Sequence, residues 1–195
     1  MAKMFIGGES VDSVTKNTSE VRNPATGATV DTVPQGNDKD VQQAIQAAED
    51  AFKVWSDVSP EDRGNALMNA GELIKKNTGE IAQLLTQEQG KTLFEAGLEI
   101  HHLVHGLEFY AGLASKVRGS HLPLPQKGAY GMVVRQPIGV CGGIVPWNFP
   151  LTLMGTKLGP ALAAGNTIII KPASTTPLAT IRVIELIAQA TFGEG

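Results

Sequence analysis

The chain has one cysteine, Cys141, so no disulfide can form within it. It lacks a long apolar run as well. The greasiest stretch, Ile138 to Val145, contains glycines and stops at Pro146, far short of the roughly 20 apolar residues of a membrane helix. The start, Met1-Ala2-Lys3-Met4-Phe5, has no signal-like apolar stretch after its charge, and with the single cysteine this predicts a cytoplasmic protein. Neither sign of charge dominates: 16 Lys and Arg face 19 Asp and Glu, a net of −3, with no block of one sign to grip phosphate backbones or anionic lipid. No nucleic acid and no membrane partner is expected. Internal repeats, low-complexity tracts and Gly/Ser linkers are missing, so nothing marks a clean domain boundary. The GxGxxG fingerprint is missing too, because the glycine-rich stretch Gly139 to Gly143 is not followed directly by a helix. What is present is an ordinary soluble composition, 42% hydrophobic and 18% charged, over 195 residues, which is enough for one core.

The first third opens with short extended pieces between turn residues: Met4 to Ile6, Glu20 to Arg22, and Thr29 to Val33 beyond Asn23-Pro24-Ala25-Thr26-Gly27. After Gly36 the apolar period lengthens. Val41, Ala44, Ile45, Ala48, Ala51, Phe52 and Trp55 form one core-facing helical stripe, capped by Asn37 or Asp38. Ser59-Pro60-Glu61-Asp62 starts a second helix, Asn77-Thr78-Gly79-Glu80 a third, and Thr92 with Glu95 a fourth through a capping box, so residues 38 to about 114 read as helical. The texture then becomes extended: Gly119 to Leu124, Tyr130 to Gln136, and the apolar run Ile138 to Val145. Leu151 to Ala164 reads as a helix, Thr167 to Lys171 as a fully buried strand, and Thr176-Pro177 opens a last helix toward Phe192. Strand, helix, strand, helix implies parallel pairing, hence an α/β fold. A two-stranded parallel sheet cannot cover its faces and edges, so the chain is expected to be the first part of a larger α/β unit.

Chemistry is expected where parallel strands end, because open α/β sheets bind ligands in the crevice at their carboxyl ends. At the end of the first strand stands Pro146-Trp147-Asn148-Phe149-Pro150, which reads as a rigid presenting loop or, equally, as a stiff turn with a packing tryptophan. At the end of the second stands Lys171, after Ile168-Ile169-Ile170, where an ammonium can reach a ribose hydroxyl or phosphate; the alternative is a lysine that merely snorkels to solvent. Two such loops on neighbouring strands favour a cofactor crevice.

These segments, together with Lys157-Leu158-Gly159-Pro160-Ala161-Leu162, Gly165-Asn166-Thr167 and Lys171-Pro172-Ala173-Ser174, resemble the consecutive signatures of the aldehyde dehydrogenase superfamily. Asn23-Pro24-Ala25-Thr26-Gly27 and Glu88-Gln89-Gly90-Lys91 are similar to segments of that family as well, so the resemblance spans nearly the whole chain. It implies a truncated Rossmann-like cofactor domain. Residues 1–137 would be the helical and β-hairpin portion of the cofactor and oligomerisation region, and residues 138–195 the first strands and helices of the dinucleotide-binding part. It implies an NAD(P)-dependent oxidation of an aldehyde to a carboxylate, with NAD or NADP as cofactor and a homo-oligomer as the assembly. Asn148 would donate its side-chain amide to the oxyanion formed when a thiolate attacks the aldehyde, a contact worth roughly 3 to 4 kcal/mol. Ile144, Val145, Pro146 and Trp147 would line the dinucleotide groove, Lys171 and Ser174 would contact the adenosine ribose, and Phe149, Leu153 and Thr156 would wall the substrate tunnel. Lys157 matches a lysine implicated in proton relay, although on a helix it is as readily solvated or ion-paired.

The chain departs from the family pattern in two places. Many NAD-specific members carry glutamate where Ser174 stands, and a carboxylate there would repel a 2′-phosphate. The family's general-base glutamate and nucleophilic cysteine have no counterpart here, so the chain alone is expected to be inactive. A non-catalytic nucleotide-binding remnant, half of a split protein, or an acylating or phosphate-reducing relative are the alternatives. Cys141 lies on a strand with no basic residue beside it in sequence and reads as inert packing. His101, His102 and His105 include an i, i+4 pair that suits zinc, but no third ligand follows in a fitting pattern, so no metal is expected.

Overall fold

The computed structural model describes residues 1–192 and begins with two antiparallel hairpins. In the first, β1 (Met4–Ile6) pairs with β2 (Glu9–Val11) across Gly7 and Gly8, both at positive φ, as a two-residue turn requires. In the second, β3 (Thr18–Arg22) pairs with β4 (Thr29–Pro34), and Val21 and Val33 turn inward to meet Leu178.

Four helices follow, and the local caps explain where three of them begin. At α1 (Asp38–Trp55) the Asn37 side chain accepts from the Lys39 N–H while Asp40 accepts from the Asn37 N–H. The apolar stripe of α1 is less uniform than its spacing predicts. Ala48 and Trp55 are buried, but Val41 is 52% exposed, because the first turn is anchored by polar bonds. There the buried Asp40 accepts from Ser13 Oγ and from the Val14 N–H. Helix α2 (Pro60–Lys76) starts on Ser59, which accepts from the Asp62 N–H, with proline in the first turn. Helix α3 (Thr78–Gln89) has no side-chain cap, since the Asn77 amide donates back to the Leu73 carbonyl of α2. Helix α4 (Leu93–Ala114) begins in the capping box of Thr92 and Glu95.

The second half begins with the hairpin of β5 (Ser120–Pro123) and β6 (Tyr130–Val133). It stops short of the expected Gln136, because β5 begins at Ser120, opposite Val133, and leaves the later residues no partner. Strand β7 (Val140–Ile144) then pairs in parallel with β8 (Thr167–Lys171), the two being joined by α5 (Pro150–Ala163), and α6 (Leu178–Phe192) follows β8. Helix α4 lies so close to α5 that a Cβ at Gly155 would fall 2.7 Å from Leu103 Cδ1, and one at Gly159 would fall 2.7 Å from the Tyr110 ring.

Strand β8 was expected to be fully buried and is not. Thr167 is buried, Ile168 to Ile170 are half-buried and Lys171 is exposed. One face carries Gly143, Ile168 and Ile170 and is covered by α5, whose Lys157 stem lies against Gly143. On the other face α1 meets the start of β8, where Thr167 Oγ1 donates to the Ala48 carbonyl at 2.9 Å, and the far end at Ile144 and Lys171 stays open. The main core runs without a break from Leu67, Leu85, Leu103 and Leu107 to Leu151, Met154 and Val183, so it crosses from residues 1–137 into residues 138–192. Among the described residues no helix is long and apolar enough to cross a membrane.

Candidate active and cofactor site

The parallel ladder places the ends of β7 and β8 side by side. Ile144 stands opposite Lys171, and the Val145 N–H donates to the Lys171 carbonyl at 3.0 Å, one step past the strand. Pro146 cannot donate to a ladder, so the chain leaves the sheet there. Pro150 re-enters regular structure in the first turn of α5, the place where its missing N–H costs least. Between these prolines Trp147, Asn148 and Phe149 are exposed at the carboxyl end of the sheet.

This short loop is held from below. The Asn148 carbonyl accepts from Lys91 Nζ at 3.2 Å and from Gln89 Nε2 at 3.4 Å. Lys91 Nζ is itself ion-paired with Glu99 and lies 4.6 Å from the centre of the Phe149 ring. Glu99, only 1% exposed, also accepts from the N–H groups of Leu151 at 2.7 Å and Thr152 at 3.2 Å. A buried carboxylate on α4 thus caps α5, where Phe149 gives no side-chain cap and the helix dipole favours negative charge. The Asn148 side-chain amide has no hydrogen-bond partner among the described residues. Its backbone carbonyl is tied by these two bonds while its exposed side chain stays available to a ligand.

A second glutamate does the same for α6. Glu88, 3% exposed near the end of α3, accepts from the N–H groups of Leu178 at 2.7 Å and Ala179 at 2.9 Å. Burial pushes its carboxyl from the ordinary 4.5 up to about 7, against the pull of those two donors, with Glu99 adding repulsion. A carboxyl raised on folding is most stabilising while protonated in both states. Stability should therefore fall as pH rises from about 4.5 to about 7, by up to about 3 kcal/mol, and level off above that. Chemical denaturation of the chain at pH 5.5 and pH 8 tests this: Glu88→Gln should lose most of the pH dependence, and an unchanged difference between the two pH values would exclude Glu88 as its source.

The remaining predicted residues fall in several places. Ile144 and Lys171 share the open end of one sheet face, with Ser174 exposed shortly beyond. The Val145 side chain is 2% exposed and belongs to the core, so only its backbone faces the crevice. On α5, Thr156 is exposed with its hydroxyl on the Leu153 carbonyl, and Leu153 is half-buried against the core. Lys157 Nζ also donates to the Leu153 carbonyl, at 3.1 Å. Cys141 is half-buried and paired in register with Ile168, on the strand rather than the loop. His101, His102 and His105 are all exposed on α4.

The residues not anticipated from the sequence are Glu88, Lys91 and Glu99. A signal existed for both glutamates. Glu88 follows Ile81 and Leu85, and Glu99 precedes Leu103 and Leu107, at helical spacing, so each carboxylate sits in a buried apolar stripe.

Comparison with known proteins agrees with this arrangement. The model of the aldehyde dehydrogenase family matches residues 11–195. Betaine aldehyde dehydrogenase of Bacillus subtilis is 38% identical over 98% of the chain, and 4-trimethylaminobutyraldehyde dehydrogenase of Sus scrofa is 40% identical over 98%. A crystal structure of betaine aldehyde dehydrogenase from Staphylococcus aureus in complex with NAD+ superimposes with a TM-score of 0.94 at 36% identity, over 100% of this chain and 39% of that one. A putative aldehyde dehydrogenase from Burkholderia cenocepacia gives 0.95 at 38% identity, over 98% and 39%. The chain spans about 40% of the length of the curated relatives it matches. With a matching family model over nearly its whole length and the same α/β architecture, this chain belongs to the aldehyde dehydrogenase family.

Proposed function

We propose that the complete protein to which this chain contributes oxidises an aldehyde to a carboxylate with a nicotinamide dinucleotide as hydride acceptor. The observation that carries the reading is the Asn148 loop, with its carbonyl tied to Lys91 and its amide unpartnered, at the carboxyl end of a parallel strand pair. The open strand ends fit a dinucleotide: Lys171 is exposed and makes no ion pair among the described residues, so its ammonium is available to a ribose or phosphate. Ile144, Pro146, Trp147 and the backbone of Val145 would form the groove beside it. When bound, the dinucleotide supplies the hydride acceptor. Asn148 would donate to the aldehyde oxygen as a thiolate adds to its carbon, holding the negative charge that develops there. Phe149, Leu153 and Thr156 would contact the substrate, and Lys157 would hold or pass a proton. The exposed Tyr130 and Met132 on β6 suit contact with a second copy of the protein.

The nucleophile is not Cys141 in this reading, because its place on β7 keeps it from the loop that would hold the oxyanion. Following reduced nicotinamide with a panel of aldehydes tests the proposal. The complete protein should turn over and the 195-residue chain should not. A complete protein inactive on every aldehyde would sink the reading, and activity of the short chain that disappears in Cys141→Ser would reinstate that cysteine.

Cofactor choice rests on Ser174, which leaves room and no charge against a 2′-phosphate. The complete protein should use NADP+ at a rate comparable to NAD+ or better, and Ser174→Glu should shift the preference to NAD+. Wild-type protein that ignores NADP+ would refute this.

A further inference from the structure

Lys91 stands at the junction of α3 and α4, and three separate bonds converge on its ammonium. It is paired with Glu99, it donates to the Asn148 carbonyl at 3.2 Å, and it lies 4.6 Å from the Phe149 ring. The turn that carries it is tightly built. Gly90 ends α3 at φ 90, and a Cβ there would fall 2.7 Å from Pro24 Cγ. The Gln89 side chain accepts from the Lys91 N–H at 2.9 Å while donating to the same Asn148 carbonyl. The Lys91 side chain is 8% exposed and that of Glu99 1%, so the pair lies largely beyond the reach of solvent screening. The loop and the start of α5 are therefore both referred to one carboxylate: Asn148 through Lys91, and Leu151 and Thr152 directly.

We infer that Lys91 and Glu99 are positioning residues that set the direction of the Asn148 amide. The inference rests on the role given to Asn148 above. Lys91 touches neither substrate nor cofactor in this scheme; it fixes the peptide on which the donor is mounted. A donor preorganised toward a developing charge loses much of its effect with small misplacement, and such remote displacements can cost about 100-fold in rate.

The test is a double-mutant cycle in the complete protein. Lys91→Met alone leaves a buried carboxylate unpaired and threatens folding, so the variant to use is Lys91→Met with Glu99→Gln, which leaves neither charge behind. It should lower kcat by about 10-fold or more with little change in KM for the dinucleotide, and Lys91→Arg should recover part of the loss. The combined variant should turn over no more slowly than Asn148→Ala alone, because both changes act through one amide. Full multiplication of the two effects, or unchanged kcat in the neutralised pair, would overturn the inference while leaving the role of Asn148 intact. Wild-type turnover in Asn148→Ala alone would overturn both. A measurement without turnover uses the 195-residue chain with isotope-labelled asparagine. The Asn148 side-chain amide signal should be single in the wild type and broadened or doubled in the neutralised pair, and an unaltered signal would count against a positioning role.

Discussion

Replacing Glu99 by alanine should destabilise the 195-residue chain by about 3 to 5 kcal/mol, the cost seen when one partner of a buried ion pair is removed. Two losses combine. The Lys91 ammonium, on an 8% exposed side chain, is left without its counter-charge, and the N–H groups of Leu151 and Thr152 lose their acceptor at the start of α5. In thermal unfolding this corresponds to a drop of roughly 10 °C or more for a chain of this size. Glu99→Ala combined with Lys91→Met should recover part of the loss, because the stranded charge is then gone. A single variant that melts within a degree or two of wild type would show that the carboxylate does not hold the helix.

Asn148→Ala should lower the turnover of the complete protein by about 100-fold or more, the usual effect of deleting one oxyanion donor. The fold should tolerate the change. The side chain is exposed, it has no partner among the described residues, and the bonds that tie the loop go to its carbonyl, which alanine retains. Affinity for the dinucleotide should change little, since the change removes none of the side chains assigned to the groove at Ile144 to Trp147 or at Lys171 and Ser174. Steady-state kinetics with dinucleotide and aldehyde varied in turn separates these effects. Near-normal turnover with chemistry rate-limiting would remove Asn148 from the mechanism.

What could be read from the sequence divides along the range of the forces involved. Caps are local, so Ser59 and the Thr92 and Glu95 pair gave correct starts for α2 and α4, and Asn37 resolved the choice left open at α1. The parallel pairing of β7 and β8 followed from the alternation of strand and helix. Strand β2 escaped notice because Glu9, Ser10 and Val11 carry almost no apolar signal, and their pairing comes from the glycine turn. The burial of Ile168 to Ile170 was overestimated, since an apolar run tells nothing of how many faces are covered. At the candidate site, the placement of Asn148 and Lys171 at the carboxyl ends of the two parallel strands was legible from the alternation of strand and helix. The partners of Glu88 and Glu99 were not, because no periodicity says which backbone groups a buried carboxylate will meet.

Those two carboxylates have a consequence for the chain as it is made. Glu99 meets its backbone donor 52 residues later, and Glu88 meets its own 90 residues later. On the ribosome, α3 and α4 emerge first with both side chains hydrated. Collapse at that moment would strip water from Glu88 with no donor in exchange and from Glu99 with Lys91 alone beside it. When residues 151 and 152, and later 178 and 179, come free, each brings the N–H groups that make dehydration tolerable. The full set of acceptor bonds of both carboxylates is therefore complete only once the starts of α5 and α6 have been made.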